Sequence, residues 1–240
     1  MWKNKKVSVV FSTYNEKDSV RDYINETFKL GVVDEVIAVN NNAANGTKEE
    51  IDKTKAKQFF ETKQGYGFGY RRALKEAIGD LIIMTEPDGT FDANDITKML
   101  VYSDNFDVVF GTRTTSALIT RGANMGLFLK WGNWFVAKLV EVLFDTTHLS
   151  DVGCTMKLIK KNTLKRIQNK FTVGKSHFGL EFMILVIVNK IPFVEIPVHY
   201  SKRIGRSSVT GSFWKTLALG MTMIFFVLKT KVFGPRRTYD

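Results

Sequence analysis

Glu86 and Asp88 stand one residue apart, directly after the apolar run Leu81-Ile82-Ile83-Met84-Thr85. A short apolar run bounded by turn residues reads as a buried strand, and Pro87 and Gly89 stop it. The two carboxylates then project from a turn at the strand's C-terminal end. Hard oxygens so paired suit a divalent ion whose remaining ligands are phosphates. An acidic turn that is merely solvated has the same spacing, and only the surrounding elements separate the two readings.

Those elements alternate. Val7 to Phe11 predicts a strand, and Asp18 to Leu30 a helix with Val20, Ile24, Thr27 and Phe28 at helical spacing before Gly31. Glu35 to Val39 predicts the next strand, and Thr47-Lys48-Glu49-Glu50 a capping box that opens a helix. Lys57 to Phe60, Leu81 to Thr85 and Asp107 to Phe110 predict further strands. Between them lie helices over Gly69 to Ile78 and, capped by Asp92, over Ala93 to Tyr102. This order implies an α/β fold, an open, mostly parallel sheet flanked by helices, and ligands of such sheets bind beyond the carboxyl ends of the strands. There the chain carries Thr13-Tyr14-Asn15-Glu16, Asn40-Asn41-Asn42, Gly65-Tyr66-Gly67-Phe68-Gly69, Glu86-Pro87-Asp88 and Gly111-Thr112-Arg113. Together they imply a site for something polar and phosphorylated. The repeated glycines also read as loop punctuation.

The second half changes character. Residues 124–144 predict a helix with Lys130, Asn133, Lys138 and Glu141 on a narrow stripe and Trp131 and Trp134 on a wide apolar face. Such a face suits a deeply buried helix or one lying in a membrane interface. Thr216 to Leu228 is apolar but short of the roughly 20 residues a span needs, which favours a core helix or an interfacial segment. Lys202, Arg203 and Arg206 precede it and Lys229, Lys231, Arg236 and Arg237 follow; basic clusters of this kind favour anionic lipid headgroups.

The 240 residues carry a net charge of +11, which points to polyanionic partners. Nucleic acid is disfavoured, because no helix shows a basic recognition face and no RNA-binding aromatic motif is present. The single cysteine, Cys154, excludes an internal disulfide, fits a reducing compartment and reads as a small buried hydrophobe. The apolar run after Met1 to Lys6 is too short for a secretory signal. His148, His177 and His199 lack metal-ligand spacing and read as structural or surface residues. Glu181 reads either as a helix-start residue or as an acid behind the site.

Val9 to Glu16 reads VVFSTYNE and Val39 to Thr47 reads VNNNAANGT. Gly65 to Ala73 is glycine-rich, and Glu86-Pro87-Asp88, Gly111-Thr112-Arg113 and Ile119 to Asn124 (ITRGAN) follow. Ser150 to Lys157 reads SDVGCTMK, and Glu195-Ile196-Pro197-Val198 leads to Ser208. In this order, over nearly the whole chain, they resemble "VVPTYNE", "VDDGSPDGT", the glycine-rich element, "DAD", "GTR", "ISRGAN", "SDxxSGFK" and "EVPV…R..G.SK". These are motifs of the inverting family 2 glycosyltransferases of GT-A fold, in the dolichol-phosphate mannose synthase-like, polyprenyl-phosphate glycosyltransferase branch. The chain departs from them at Asn40 and Asn41, where aspartates stand, at Glu86, longer by a methylene than aspartate, and at Ser207-Ser208 in place of Ser-Lys.

The resemblance implies a GT-A domain over residues 1–210, with an interface helix at 124–144, and a membrane-associated segment with a basic tail over 211–240. It implies a GDP- or UDP-sugar donor bound by Thr13, Tyr14, Glu16, Asn41, Gly65, Asp88, Arg203, Arg206 and Ser207. Mg²⁺ or Mn²⁺ on Glu86 and Asp88 would bridge the diphosphate, and Arg203 or Arg206 would help neutralise the leaving group. Neutralising Asp88, read as an exposed acid, is expected to abolish turnover with little loss of stability. For a polyprenyl phosphate acceptor the phosphate is itself the nucleophile, held by Arg113 and Arg121. A sugar hydroxyl would need a base, for which Asp151 is the candidate. The implied location is the cytoplasmic face of a membrane, on an anionic surface. Two rivals remain: a family 2 transferase acting on a saccharide hydroxyl, and a non-catalytic binder of nucleotide sugars or anionic lipids.

Overall fold

The protein was analysed as a computed structural model, which describes residues 1–120, 122–123, 127–205 and 213–235. The predicted parallel half is present: β1 (Val7–Thr13), α1 (Lys17–Lys29), β2 (Glu35–Asn40), α2 (Thr47–Asp52), β3 (Lys57–Phe60), α3 (Tyr66–Glu76), β4 (Leu81–Met84), α4 (Asp95–Tyr102) and β5 (Val108–Thr112). The rest adds α5 (Leu127–Phe144), β6 (Lys157–Lys160), α6 (Lys161–Ile167), α7 (Phe178–Val188), β7 (Phe193–Pro197) and α8 (Phe213–Phe233). The seven strands run in the order β3-β2-β1-β4-β6-β5-β7. Among the described strands only β6 is antiparallel to its neighbours, β4 and β5.

Alternation along the strands divides the core between two faces. Val7, Val9 and Phe11 of β1 and Leu81 and Ile83 of β4 pack with α1 and α4. Val10, Ile82 and Met84 face α3, α5 and α7. Sheets covered on both sides have near-continuous apolar strands, which is why β1, β2 and β4 are legible in the sequence. Because β6 runs against the others, its N-terminal end meets their C-terminal ends. The segments before β6 and after β7 therefore arrive at one edge, with the loops after β1, β2, β4 and β5.

Several local expectations change. The capping box at Thr47 does not form: Gly46, at φ +89°, is the N-cap, Thr47 is the first helical residue, and its buried hydroxyl has no partner. Helix α3 starts at Tyr66, so the glycine-rich run is its first turn rather than an open loop. A Cβ on Gly67 would lie 2.5 Å from the Val173 carbonyl oxygen, and one on Gly65 2.2 Å from that of Gly174. The glycines let the helix start close against the 173–174 backbone. Glu181 is buried and holds that backbone: it accepts hydrogen bonds from Thr172 N (2.8 Å), Thr172 Oγ1 (2.6 Å) and Val173 N (2.9 Å).

Helix α8 has 21 residues, more than the apolar run Thr216 to Leu228, and is long and apolar enough to cross a membrane by length and composition. Met223, Val227 and Thr230 form its buried stripe, while Trp214, Met221, Phe225, Val232 and Phe233 face outward. Helix α5 packs against it and buries only Val136, Ala137 and Val140 among its described side chains; Trp131, Phe135 and Val142 are exposed.

Gly67→Ala tests the close approach at α3, because the new methyl meets backbone that cannot rotate away. Overpacking of this kind costs about 1–3 kcal/mol. Chemical denaturation is expected to show that loss; an unchanged midpoint would mean the 173–174 segment yields freely.

Candidate active site

The turn after β4 brings two carboxylates to a shared guanidinium. Asp88 is fully buried, not exposed as the sequence led one to expect. Its Oδ1 accepts from Thr90 N (2.9 Å) and Thr90 Oγ1 (2.5 Å). Its Oδ2 lies 2.5 Å from Arg203 Nη2 yet receives no well-directed hydrogen bond. The same nitrogen donates to Glu86 Oε2 (2.8 Å), and Arg203 Nη1 lies 3.5 Å from Glu16 Oε1. Three carboxylates thus share one guanidinium. Burial, and then the nearby Asp88 charge, pushes the Glu86 carboxyl up. Burial also raises Glu16, against the hydrogen bonds it accepts from Tyr14 N (2.6 Å) and Asn15 N (2.9 Å). For Arg203 burial works the other way, but the surrounding acids outweigh it and hold the guanidinium above its usual range.

Among the described residues no group of three His, Cys, Asp or Glu side chains is set to hold a metal by itself. The pair nevertheless fits a divalent ion completed by ligand oxygens. Glu86 Oε2 and Asp88 Oδ2 converge on a single cationic nitrogen, and Asp88 Oδ2 is a buried acceptor without a directed donor.

The other expected donor contacts divide. Tyr14 is exposed at the rim. Thr13 is buried and its hydroxyl donates to Val39 O (3.3 Å). Asn41 spends its amide inside the fold: Nδ2 donates to Glu61 O and Lys63 O (both 2.8 Å), and Oδ1 accepts from Gly65 N (2.9 Å). An amide so engaged has little capacity left for a base edge; it fastens the loop leading into α3. Arg121, Arg206 and Ser207 lie outside the described residues.

A second buried ion pair stands at the end of β5. Arg113 donates to Asp151 Oδ2 from Nε (2.8 Å) and from its backbone N (3.0 Å), and to Oδ1 from Nη2 (2.9 Å). Gly153 N adds a fourth donor at 2.9 Å, and the guanidinium lies 5.0 Å from the Tyr200 ring centroid. Burial alone would raise the Asp151 carboxyl; the Arg113 charge and its hydrogen bonds outweigh that and hold it below the ordinary range. This geometry makes Asp151 a poor proton acceptor and a good anchor for Arg113. Glu195 braces the pair from β7, accepting from Ser150 Oγ (2.6 Å) and Asp151 N (3.1 Å).

Cys154 is buried and its thiol is pushed up to about 12 by burial, so it stays protonated and inert. The histidines are structural: His199 pairs with Asp95 (2.9 Å), His148 meets Lys138 (3.1 Å), and His177 packs on Phe226. Sequence reasoning missed Tyr66 and Thr155, whose hydroxyls meet at 2.6 Å, with Thr155 donating to Glu86 Oε1 at 2.5 Å. Both lie in quoted motifs, so the signal was present, but only the fold brings their hydroxyls to the acid.

Asp151→Asn leaves a buried guanidinium without its carboxylate, a change that costs about 3–5 kcal/mol. The pair also sets a pH dependence. A carboxyl lowered on folding stabilises fully above its unfolded value of about 3.9 and loses that contribution as pH falls through the folded value. Unfolding free energies measured between neutral pH and pH 3 are expected to fall less steeply below pH 4 in Asp151→Asn than in the wild type. Parallel curves would exclude Asp151 as the source.

Residues 8–168 match the profile of Glycosyl transferase family 2. The dolichyl-phosphate hexose transferase of Haloferax volcanii is 24% identical over 228 residues, 94% of this chain and 96% of that protein. The dolichyl-phosphate beta-glucosyltransferase of Homo sapiens is 23% identical over 252 residues, 94% of this chain and 76% of that protein. Among solved structures, glucosyl-3-phosphoglycerate synthase from Mycobacterium tuberculosis with phosphoglyceric acid superposes with a TM-score of 0.71 at 12% identity, over 98% of this chain and 82% of its own. The same enzyme with Mn²⁺, uridine diphosphate and phosphoglyceric acid gives 0.68 at 13%, over 97% and 80%. The shared sheet and the motif order agree with the family profile, and the chain belongs to glycosyl transferase family 2, as an enzyme of GT-A fold.

Proposed function

We propose that the protein transfers a hexose, with inversion, from a nucleoside-diphosphate sugar to a polyprenyl phosphate at a membrane surface. The observation that carries this is the convergence of Glu16, Glu86 and Asp88 on Arg203 at the carboxyl edge of the sheet. Glu86 and Asp88 would hold a divalent ion, Mg²⁺ or Mn²⁺, which when bound would supply charge neutralisation at the departing diphosphate. Arg203 would then be a cation available, among the described residues, to meet the leaving group's other oxygens. The exposure of Tyr14 at the rim supports a role in covering the base.

The state of Asp151 favours a phosphate acceptor over a sugar hydroxyl. A hydroxyl needs a base, and Asp151 is buried, engaged by four donors and held low. A phosphate arrives already anionic and needs cations, which Arg113 supplies, with Arg121 as its expected partner. The names of the Haloferax and human relatives support a dolichyl-phosphate acceptor and a hexose, and the Mycobacterium complexes support a divalent ion with a nucleoside diphosphate. The outward apolar faces of α5 and α8 would bring the site to the lipid.

The first test is transfer from a panel of UDP- and GDP-sugars to a polyprenyl phosphate, with Mn²⁺ or with chelator. Metal-dependent formation of a lipid-linked sugar is expected. Asp88→Asn is expected to abolish it while the ligand-free unfolding midpoint holds or rises, since one of three crowded carboxylates is neutralised. Donor hydrolysis without lipid product would shift the acceptor to a saccharide, and nucleotide binding without turnover would favour the non-catalytic reading.

Docking is checked by sedimentation with vesicles containing anionic lipid. Full burial of a large apolar side chain contributes about 1.5–3 kcal/mol, so Trp131→Ala with Trp214→Ala is expected to weaken binding roughly ten-fold or more. Unchanged sedimentation would remove this face from the membrane contact.

A further inference from the structure

Two departures from the resembled motifs touch each other. Glu86 stands where the metal-site motif has the shorter aspartate, and Thr155 stands where "SDxxSGFK" has glycine, which has no side chain. Thr155 Oγ1 donates to Glu86 Oε1 at 2.5 Å, a bond that glycine could not make. Behind it, the Tyr66 hydroxyl lies 2.6 Å from Thr155 Oγ1. The proton order follows from chemistry. In the ionised form that would ligate a cation Glu86 only accepts, so the single Thr155 proton then goes to Glu86 and Tyr66 donates to Thr155. Burial holds the Tyr66 phenol well above its ordinary value, which keeps that donor protonated.

The consequence lies at the other oxygen of Glu86. With Oε1 held by Thr155, Oε2 is turned toward the point it shares with Asp88 Oδ2, marked by Arg203 Nη2 at 2.8 and 2.5 Å. Without the hydroxyl, the longer glutamate gains rotamer freedom and loses one of its two fixed ends. Tyr66 is itself fixed, because Gly65 and Gly67 seat the start of α3 on the 173–174 backbone that Glu181 clamps.

We propose that Thr155, oriented by Tyr66, is a positioning residue that fits a glutamate into a divalent-cation site otherwise built for aspartate, so that positions 86 and 155 act as one unit. The inference rests on the reading that Glu86 and Asp88 hold that cation. Partners that orient a metal ligand from behind typically change metal affinity by about 10–100-fold when removed.

The test measures free Mn²⁺ by electron paramagnetic resonance, with UDP and in parallel with GDP, and without sugar. Thr155→Val keeps the shape and removes the hydroxyl, and is expected to weaken Mn²⁺ binding by about 10–100-fold. Thr155→Ser, which keeps the hydroxyl, is expected to restore binding close to wild type. Glu86→Asp is expected to cost clearly less when combined with Thr155→Gly than in the wild-type background. Wild-type Mn²⁺ affinity in Thr155→Val, or strictly additive effects in the Glu86→Asp and Thr155→Gly pair, would overturn the inference. Should Thr155→Val fail to fold, Tyr66→Phe removes only the hydroxyl behind Thr155, and an unchanged affinity there overturns it equally. Failure of the underlying reading looks different: wild type itself would then retain no Mn²⁺ with either nucleotide, or Asp88→Asn would retain it undiminished.

Discussion

Concentrated negative charge under partial burial is the constraint on which the rest of this molecule depends. Glu16, Glu86 and Asp88 meet at the sheet edge with one guanidinium among them. Removing such charges from water is costly unless they are paired and hydrogen-bonded. The path of the chain after β7 follows from this: Arg203 must reach the acids, and the backbone that carries it is tied to the same turn. Ser201 N donates to Thr90 O and Ile204 N to Asp88 O, both at 2.8 Å. Gly89, at φ +78° with Ile204 Cδ1 3.0 Å from where a Cβ would stand, permits that approach. The cluster therefore organises its own cover.

The antiparallel strand β6 solves a second problem of placement. Helical crossovers deliver loops to the carboxyl edge one at a time, always from the ends of parallel strands. By inserting β6 against β4 and β5, the chain brings residues 150–156 to that edge from the opposite direction. This gives Arg113 its carboxylate, Glu86 its hydroxyl donor and Glu195 its two partners from Ser150 and Asp151. The cost is a buried lysine: Lys157 begins β6 inside the core, donates to the Cys154 carbonyl, sits over the Phe110 ring and is lowered by burial.

What was legible in the sequence tracks the range of the interactions concerned. Strands β1, β2, β4 and β5 announce themselves because burial on both faces makes them apolar runs, and Pro87 and Gly89 mark where β4 ends. Strand β6 is bracketed by lysines and β7 has Glu195 at its centre, so neither has an apolar signature; tertiary partners satisfy those charges. The site was legible as residue types at one edge. Less legible was which of them face a ligand: Asn41 turns inward to hold a loop and Thr13 to bond β2, Asp88 is buried rather than exposed, and the glycines at the start of α3 serve packing. Each depends on a contact with a segment distant in sequence, such as Gly174 or Glu61, that local periodicity does not encode.

Arg113, buried, and Arg203, partly buried, share a design that bears on the acceptor. Arg203 is flanked by three acids and Arg113 is gripped by Asp151 through two nitrogens. A long cationic side chain free in solution must lose rotamer freedom when it meets an anion. Held by a carboxylate behind it, the guanidinium has already lost that freedom on folding, and its remaining N–H groups are aimed in advance. Preorganised donors of this kind act where charge must be received, which on the proposed reading is twice: at the departing diphosphate and at the incoming phosphate. A site arranged in this way favours a nucleophile that brings its own charge. It also gives each carboxylate at the edge a task other than taking a proton, which is the physical reason Asp151 serves better as the counter-ion of Arg113 than as a base.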